Sequence, residues 1–253
     1  MRRIDAASIS TVLDAYPFER AALLELLAPL TADEWALPTE CPAYPVQGIA
    51  THVLGDDLSL LSRQRDAAVP GVIHVAEHMA GADFPTLLNA FNDQWVDAAR
   101  FFSPALLIEL LRVSGDPTEN YYRAVDPTAP GEPVGMFGAA LDGGSPFWHA
   151  IAREFLERWA HHSQILRALG RPSLASEGVF DVGVQIIGAI LNADPVPPAE
   201  PGGDWAVGEL VFGSRQQTAD ILTLGLDQVD VRERMRGPAE LIDLFVPAVS
   251  RDR

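Results

Sequence analysis

Residues 145–170, SPFWHAIAREFLERWAHHSQILRALG, constrain the fold more than any other stretch. Ser145 supplies an N-cap, Pro146 a proline suited to a first helical turn, and Gly170 followed by Pro172 a stop. The residues between therefore read as one long helix. Ile151, Phe155, Trp159, Leu166 and Leu169 mark its core-facing side, and Glu157 and His161 fall on the flank of that side, four residues apart. At this spacing two Cβ atoms stand about 5–6 Å apart on one helical face, so a carboxylate and an imidazole can converge on one cation. Two ligands do not make a site. The best candidate for a third is His52.

Before this helix the sequence predicts several others. Apolar spacing gives a helix over residues 14–28, with Pro17 tolerable only in its first turn. Thr31 and Glu34 form a capping-box pattern that opens a short turn ending at Trp35. A proline-rich loop, residues 37–45, leads into a second helix whose apolar stripe runs through Val46, Ile49, Val53, Leu54, Leu58 and Leu61, with His52 beside it. Residues 67–82 read as irregular. Asp83 and Pro85 open a third helix, and Ser103-Pro104 opens another through about Leu111 that Gly115 and Pro117 interrupt. Residues 126–144, with three prolines and five glycines, predict a loop with at most a short extended piece.

After the long helix, a helix is expected over residues 177–192. Residues 193–204, with four prolines and two glycines in twelve positions, read as a linker. The remainder predicts a helix at 216–224, a strand at 229–234 and a helix at 238–244. The expected organisation is a helical bundle over 1–192, the linker 193–204, and a small α+β appendage over 205–253, too short for a comfortable core of its own and so docked on the rest. The fold class is mainly α, a four-helix bundle with a small α+β C-terminal part. His52 and the Glu157/His161 pair are expected to meet at one open end of that bundle.

A formal charge of 18 minus 35, or −17, argues against binding nucleic acid or an anionic membrane through bulk electrostatics. No signal-peptide pattern and no long apolar run occur, and the single cysteine, Cys41, excludes an internal disulfide framework. A cytoplasmic protein with a small-molecule substrate is the expectation.

Other candidates carry plainer alternatives. His162 lies about 100° further round the helix than His161 and cannot share the face of Glu157. Glu154, one turn before Glu157, is a candidate acid/base or a solvated helix residue. Arg153 and Arg158 are candidates for holding a cofactor or substrate carboxylate, or simple partners of Glu154 and Glu157. Trp148 and His149 are candidates for a pocket mouth, with core packing the safer reading of Trp148. Cys41 reads as a small buried hydrophobe, and His74 and His78 as surface histidines.

Two segments carry a resemblance. LTADEWALPTECPAYPVQGIATHVLGDD and REFLERWAHHSQILRALGRP resemble, in order, the two signatures of the mycothiol-dependent maleylpyruvate isomerase family, within the DinB-like superfamily of metal-binding four-helix bundles. The likeness covers roughly residues 8–172, and TADILTLGLDQVDVRERMRGPAELIDLF resembles, more weakly, the end of the family's C-terminal part. The resemblance implies one divalent metal, usually zinc and alternatively nickel, held by His52, Glu157 and His161, with an open position. Three N/O ligands and an exchangeable water are the pattern of a catalytic zinc. Departures occur where the family has an aspartate and this chain has Gln164, where it has a tryptophan and this chain has Tyr44, and at Pro45 and Gly48.

The implied function is a metal-dependent transferase or isomerase that uses mycothiol or a similar low-molecular-weight thiol on a small electrophile. The alternatives are a metal-binding cyclase or lyase of a biosynthetic pathway without thiol use, and a non-enzymatic stress or binding protein.

Overall fold

The structure, a computed structural model, describes residues 1–132, 134–137 and 144–249. In chain order its elements are α1 (Ser10–Leu27), α2 (Ala32–Trp35), α3 (Val46–Leu60), α4 (Gly71–Ala76), α5 (Phe84–Ala99), α6 (Pro104–Ala124), β1 (Pro130–Gly131), β2 (Ser145–Pro146), α7 (Phe147–Ala168), α8 (Glu177–Ile190), β3 (Pro195–Val196), β4 (Trp205–Val207), β5 (Leu210–Gly213), α9 (Arg215–Leu222), α10 (Gln228–Arg234) and α11 (Ala239–Val249). The chain is mainly α with a small α+β C-terminal part, as the sequence predicts. Among the described residues no helix is long and apolar enough to cross a membrane. The chain divides into two compact units, Arg20–Ala124 and Met1–Glu19 with Val125–Arg253.

In the unit Arg20–Ala124, α3 packs against α5 and α6, and Ile49, Leu54, Leu60 and Leu107 are fully buried. The Thr31/Glu34 capping box forms, and Asp83 caps α5 by accepting the Thr86 backbone N–H. α3 closes in a π-helical turn, Leu61–Arg65. Two expectations change. Residues 67–82 include the short helix α4, and α6 runs unbroken through Gly115 and Pro117.

The reason for that continuity is a buried charge. Arg20 Nη1 donates to Asp57 Oδ2 at 3.0 Å and to the Leu111 carbonyl at 2.9 Å, Ser114 Oγ donates to the same Asp57 oxygen at 2.6 Å, and Glu119 lies 3.6 Å from Arg20 Nε. Residues on both sides of Gly115 and Pro117 are thus tied to one guanidinium. Gly115 makes room for it, since a Cβ there would stand 2.4 Å from Arg20 Nε.

In the other unit β1 pairs with β2 and so fixes the start of α7. Ser145 is therefore not the N-cap. It lies in β2, with its hydroxyl accepting the Val134 backbone N–H, and Pro146 takes the cap position. Of the loop expected at 126–144, β1 and a 3-10 turn at Gly135–Phe137 occupy the described part, and residues 133 and 138–143 lie outside the described residues. α1 begins at Ser10, four residues before the expected start, so Pro17 sits inside the helix, on its exposed side.

α7 buries Ile151, Phe155 and Trp159 completely. Gly183 lets α8 approach, because a Cβ there would stand 2.3 Å from the Trp159 ring. Beyond α8, Pro195–Val196 pairs with β4, and β4 with β5. The β4–β5 hairpin escaped the sequence reading although Gly208 (φ +57°) and Glu209 form a two-residue turn between apolar runs. Residues 229–234 are helical and not a strand. Asp227 caps α10 by accepting the Asp230 backbone N–H, and that local bond outweighs the β preference of Val229 and Val231. The C-terminal elements share their unit's core through Arg215, which lies over the Phe180 and Trp205 rings at 4.4 and 5.2 Å and pairs with Asp181.

Candidate functional site

On α7 the Glu157/His161 pair forms as the spacing predicts, with Glu157 Oε2 3.7 Å from His161 Nε2 and both side chains mostly buried. His161 Nδ1 donates to the Gln164 side-chain oxygen Oε1 at 2.9 Å. With Oε1 as the acceptor, that bond engages Nδ1 and turns Nε2 toward the carboxylate, the arrangement a metal-ligating histidine needs from the partner of its other nitrogen. Gln164, a departure from the family pattern, therefore supplies the acceptor that an aspartate would, without its charge.

His162 points elsewhere. Its Nδ1 donates to Glu19 Oε1 at 3.0 Å, and both side chains are buried. Glu154 is buried and paired with Arg153, so the solvated reading of Glu154 does not hold. Arg158 is buried, its guanidinium 5.7 Å from the Tyr16 ring centre, while the Tyr16 hydroxyl donates to the Ile151 carbonyl. Trp148 and His149 are half-buried beside Phe137, which stacks on His149 at 4.1 Å, and burial lowers the His149 pKa.

On α3, His52 is mostly buried and its Nε2 lies 3.7 Å from Asp56 Oδ2. This carboxylate escaped the sequence reading, although HVLGD carries the same four-residue spacing as ERWAH. Tyr44 stacks on His52 with ring centres 6.1 Å apart, and its hydroxyl donates to Asp93 Oδ1 at 2.6 Å. Burial, with Asp93 second, raises the Tyr44 pKa and keeps that hydroxyl a donor. Gly48 lets the residue 44–45 loop pack close on α3: a Cβ on residue 48 would stand 3.0 Å from Tyr44 Cβ and 3.2 Å from Pro45 Cδ. Thr39 Oγ1 fixes the Tyr44 carbonyl, and Trp95 Nε1 takes the Thr51 carbonyl just before His52, so loop and α5 both brace this turn. Cys41 is a half-buried free thiol whose pKa burial pushes up, and His74 and His78 are exposed.

Each of the two helices thus offers one imidazole and one carboxylate a turn apart. Nitrogen and oxygen donors of this kind fit zinc and its neighbours, not a thiolate-selected metal. Replacing Gln164 with leucine removes the acceptor for His161 Nδ1 and is expected to weaken metal binding about 10–100-fold, measured by competition with a chelator. Gln164→Asp should hold affinity at or above the wild-type value.

A family model described as the mycothiol maleylpyruvate isomerase N-terminal domain matches residues 17–166. Neither the curated proteins nor the solved structures gave a match.

Proposed function

The chain belongs to the mycothiol maleylpyruvate isomerase N-terminal domain family, and from that membership we propose a metal-dependent enzyme that uses a low-molecular-weight thiol, mycothiol or a close equivalent, in transfer or isomerisation on a small electrophile. His52, Glu157 and His161 hold the ion in this reading, with Asp56 a further carboxylate on α3. The observation that carries it is the Glu157/His161 pair with its nitrogen already set by Gln164. When bound, zinc or nickel supplies a Lewis acid that keeps a thiol ionised at neutral pH.

The chain's own residues do the rest. Gln164 and Tyr44 orient the two imidazoles, Trp95 anchors the backbone beside His52, and Glu19 draws His162 away from the site. Arg153 and Glu154 pair with each other and serve as support in this reading, not as the proton carrier. A reducing, cytoplasmic setting suits a thiol cosubstrate and a chain with one cysteine.

The test is a cobalt-substituted protein titrated with mycothiol or a short thiol. Thiolate ligation is expected to add a sulfur-to-cobalt charge-transfer band and change the visible spectrum. A cobalt site whose spectrum ignores thiol at saturating concentration rejects thiol use and favours a cyclase or lyase.

A further inference from the structure

Within the unit Met1–Glu19 with Val125–Arg253 there is a cavity of about 80 Å³ between α7, α8, α9 and α11. Nine of its ten described lining residues are apolar, Ile187, Leu222, Leu224 and Phe245 among them, and the tenth is Glu157. A water molecule needs roughly 10–15 Å³ of such space and 2–4 polar partners. This hollow therefore has room for several waters and, among its described lining residues, no polar side chain but Glu157 to hold them. Poorly held water is displaced favourably by an apolar group.

Leu224 points the same way independently. It follows α9 at φ +60°, in the left-handed conformation that L side chains disfavour. Gly225 N–H then closes the helix end on the Asp220 carbonyl at 2.9 Å. This turn commonly puts glycine where Leu224 stands. A leucine in that position gives the cavity a wall at the cost of backbone strain, a pattern that gathers at ligand sites.

We propose that this cavity is a substrate subsite that takes a compact apolar group of a few carbon atoms beside Glu157. The inference rests on the reading of Glu157 as a metal ligand, and it makes the C-terminal segment the part of the chain that selects the substrate. Maleylpyruvate, the compound in the family's description, is an anionic keto diacid. A wall whose one charged described residue is a carboxylate does not suit it.

The test uses the zinc-loaded full chain, titrated with ethanethiol, propanethiol and butanethiol and with 2-mercaptoethanol as the polar control, read by methyl NMR signals of Ile187, Leu222, Leu224 and Val249. Affinity is expected to rise about fourfold per methylene until the cavity fills, with 2-mercaptoethanol weakest. Leu224→Trp, which fills the space, should flatten that series. Leu224→Gly, which relieves the backbone while removing the wall, should lower every alkyl affinity and keep the fold. Affinities independent of chain length in the wild type, or a series unchanged in both variants, overturn the proposal. Zinc content is measured on the same samples, so failure of the metal reading shows as an empty site while the methyl titration still decides the apolar one.

Discussion

A His52→Ala protein is expected to leave purification without metal, and the wild type is expected to carry about one ion per chain. Losing a ligand should cost more than the ~10–100-fold in affinity that accompanies loss of an outer partner. The fold should survive, because the turn bearing His52 is held by other contacts: Trp95 on the Thr51 carbonyl, and the Gln47 side chain on the Phe102 carbonyl. Zinc analysis and thermal melting of metal-free samples check the two halves of the claim separately. Stoichiometric metal retained by the variant rejects His52 as a ligand. The companion variant Asp56→Asn asks whether α3 contributes its carboxylate as well, and a loss there of similar size would make the site four-liganded by protein.

Asp57→Ala is expected to destabilise the protein by about 3–5 kcal/mol, the usual result of stripping one partner from a buried ion pair. Asp57 and Arg20 are both buried, and the guanidinium would be left with the Leu111 carbonyl and a more distant Glu119. Ser114 loses its shorter hydroxyl bond at the same time and keeps the 3.3 Å one to the Leu111 carbonyl. Urea unfolding measures the change. A loss below about 1 kcal/mol, the range of exposed pairs, would mean that water reaches Arg20 and that the cluster does not hold α6 together.

The contrast between these two sites explains what the sequence discloses. Glu157 and His161 are neighbours on one helix, and helical periodicity alone makes them meet. Asp56 stands at the same four-residue spacing from His52, so helical periodicity reaches it as well. Gln164 as the partner of His161 depends on a side-chain rotamer, which periodicity does not report. The unbroken course of α6 depends on Arg20, far away in sequence, so Gly115 and Pro117 taken locally predict a break. For residues 229–234 a single capping aspartate decided between helix and strand, and the β4–β5 hairpin was hidden behind a run of prolines that looked like a linker. Local punctuation was legible; long-range pairing was not.

The division of the chain also has a consequence for the order of synthesis. Arg20–Ala124 is continuous in sequence, whereas the other unit takes its first nineteen residues from the N-terminus and the remainder from beyond residue 124. Tyr16 finds the Ile151 carbonyl across 135 positions and Glu19 finds His162 across 143. On the ribosome the inserted unit is complete in sequence before α7 is made. The leading segment, with the acid side chain of Glu19 and the apolar faces of Ile9, Val12 and Tyr16, has to wait in water until α7 appears. A chain halted before α7 would lack the partners that Tyr16 and Glu19 find there.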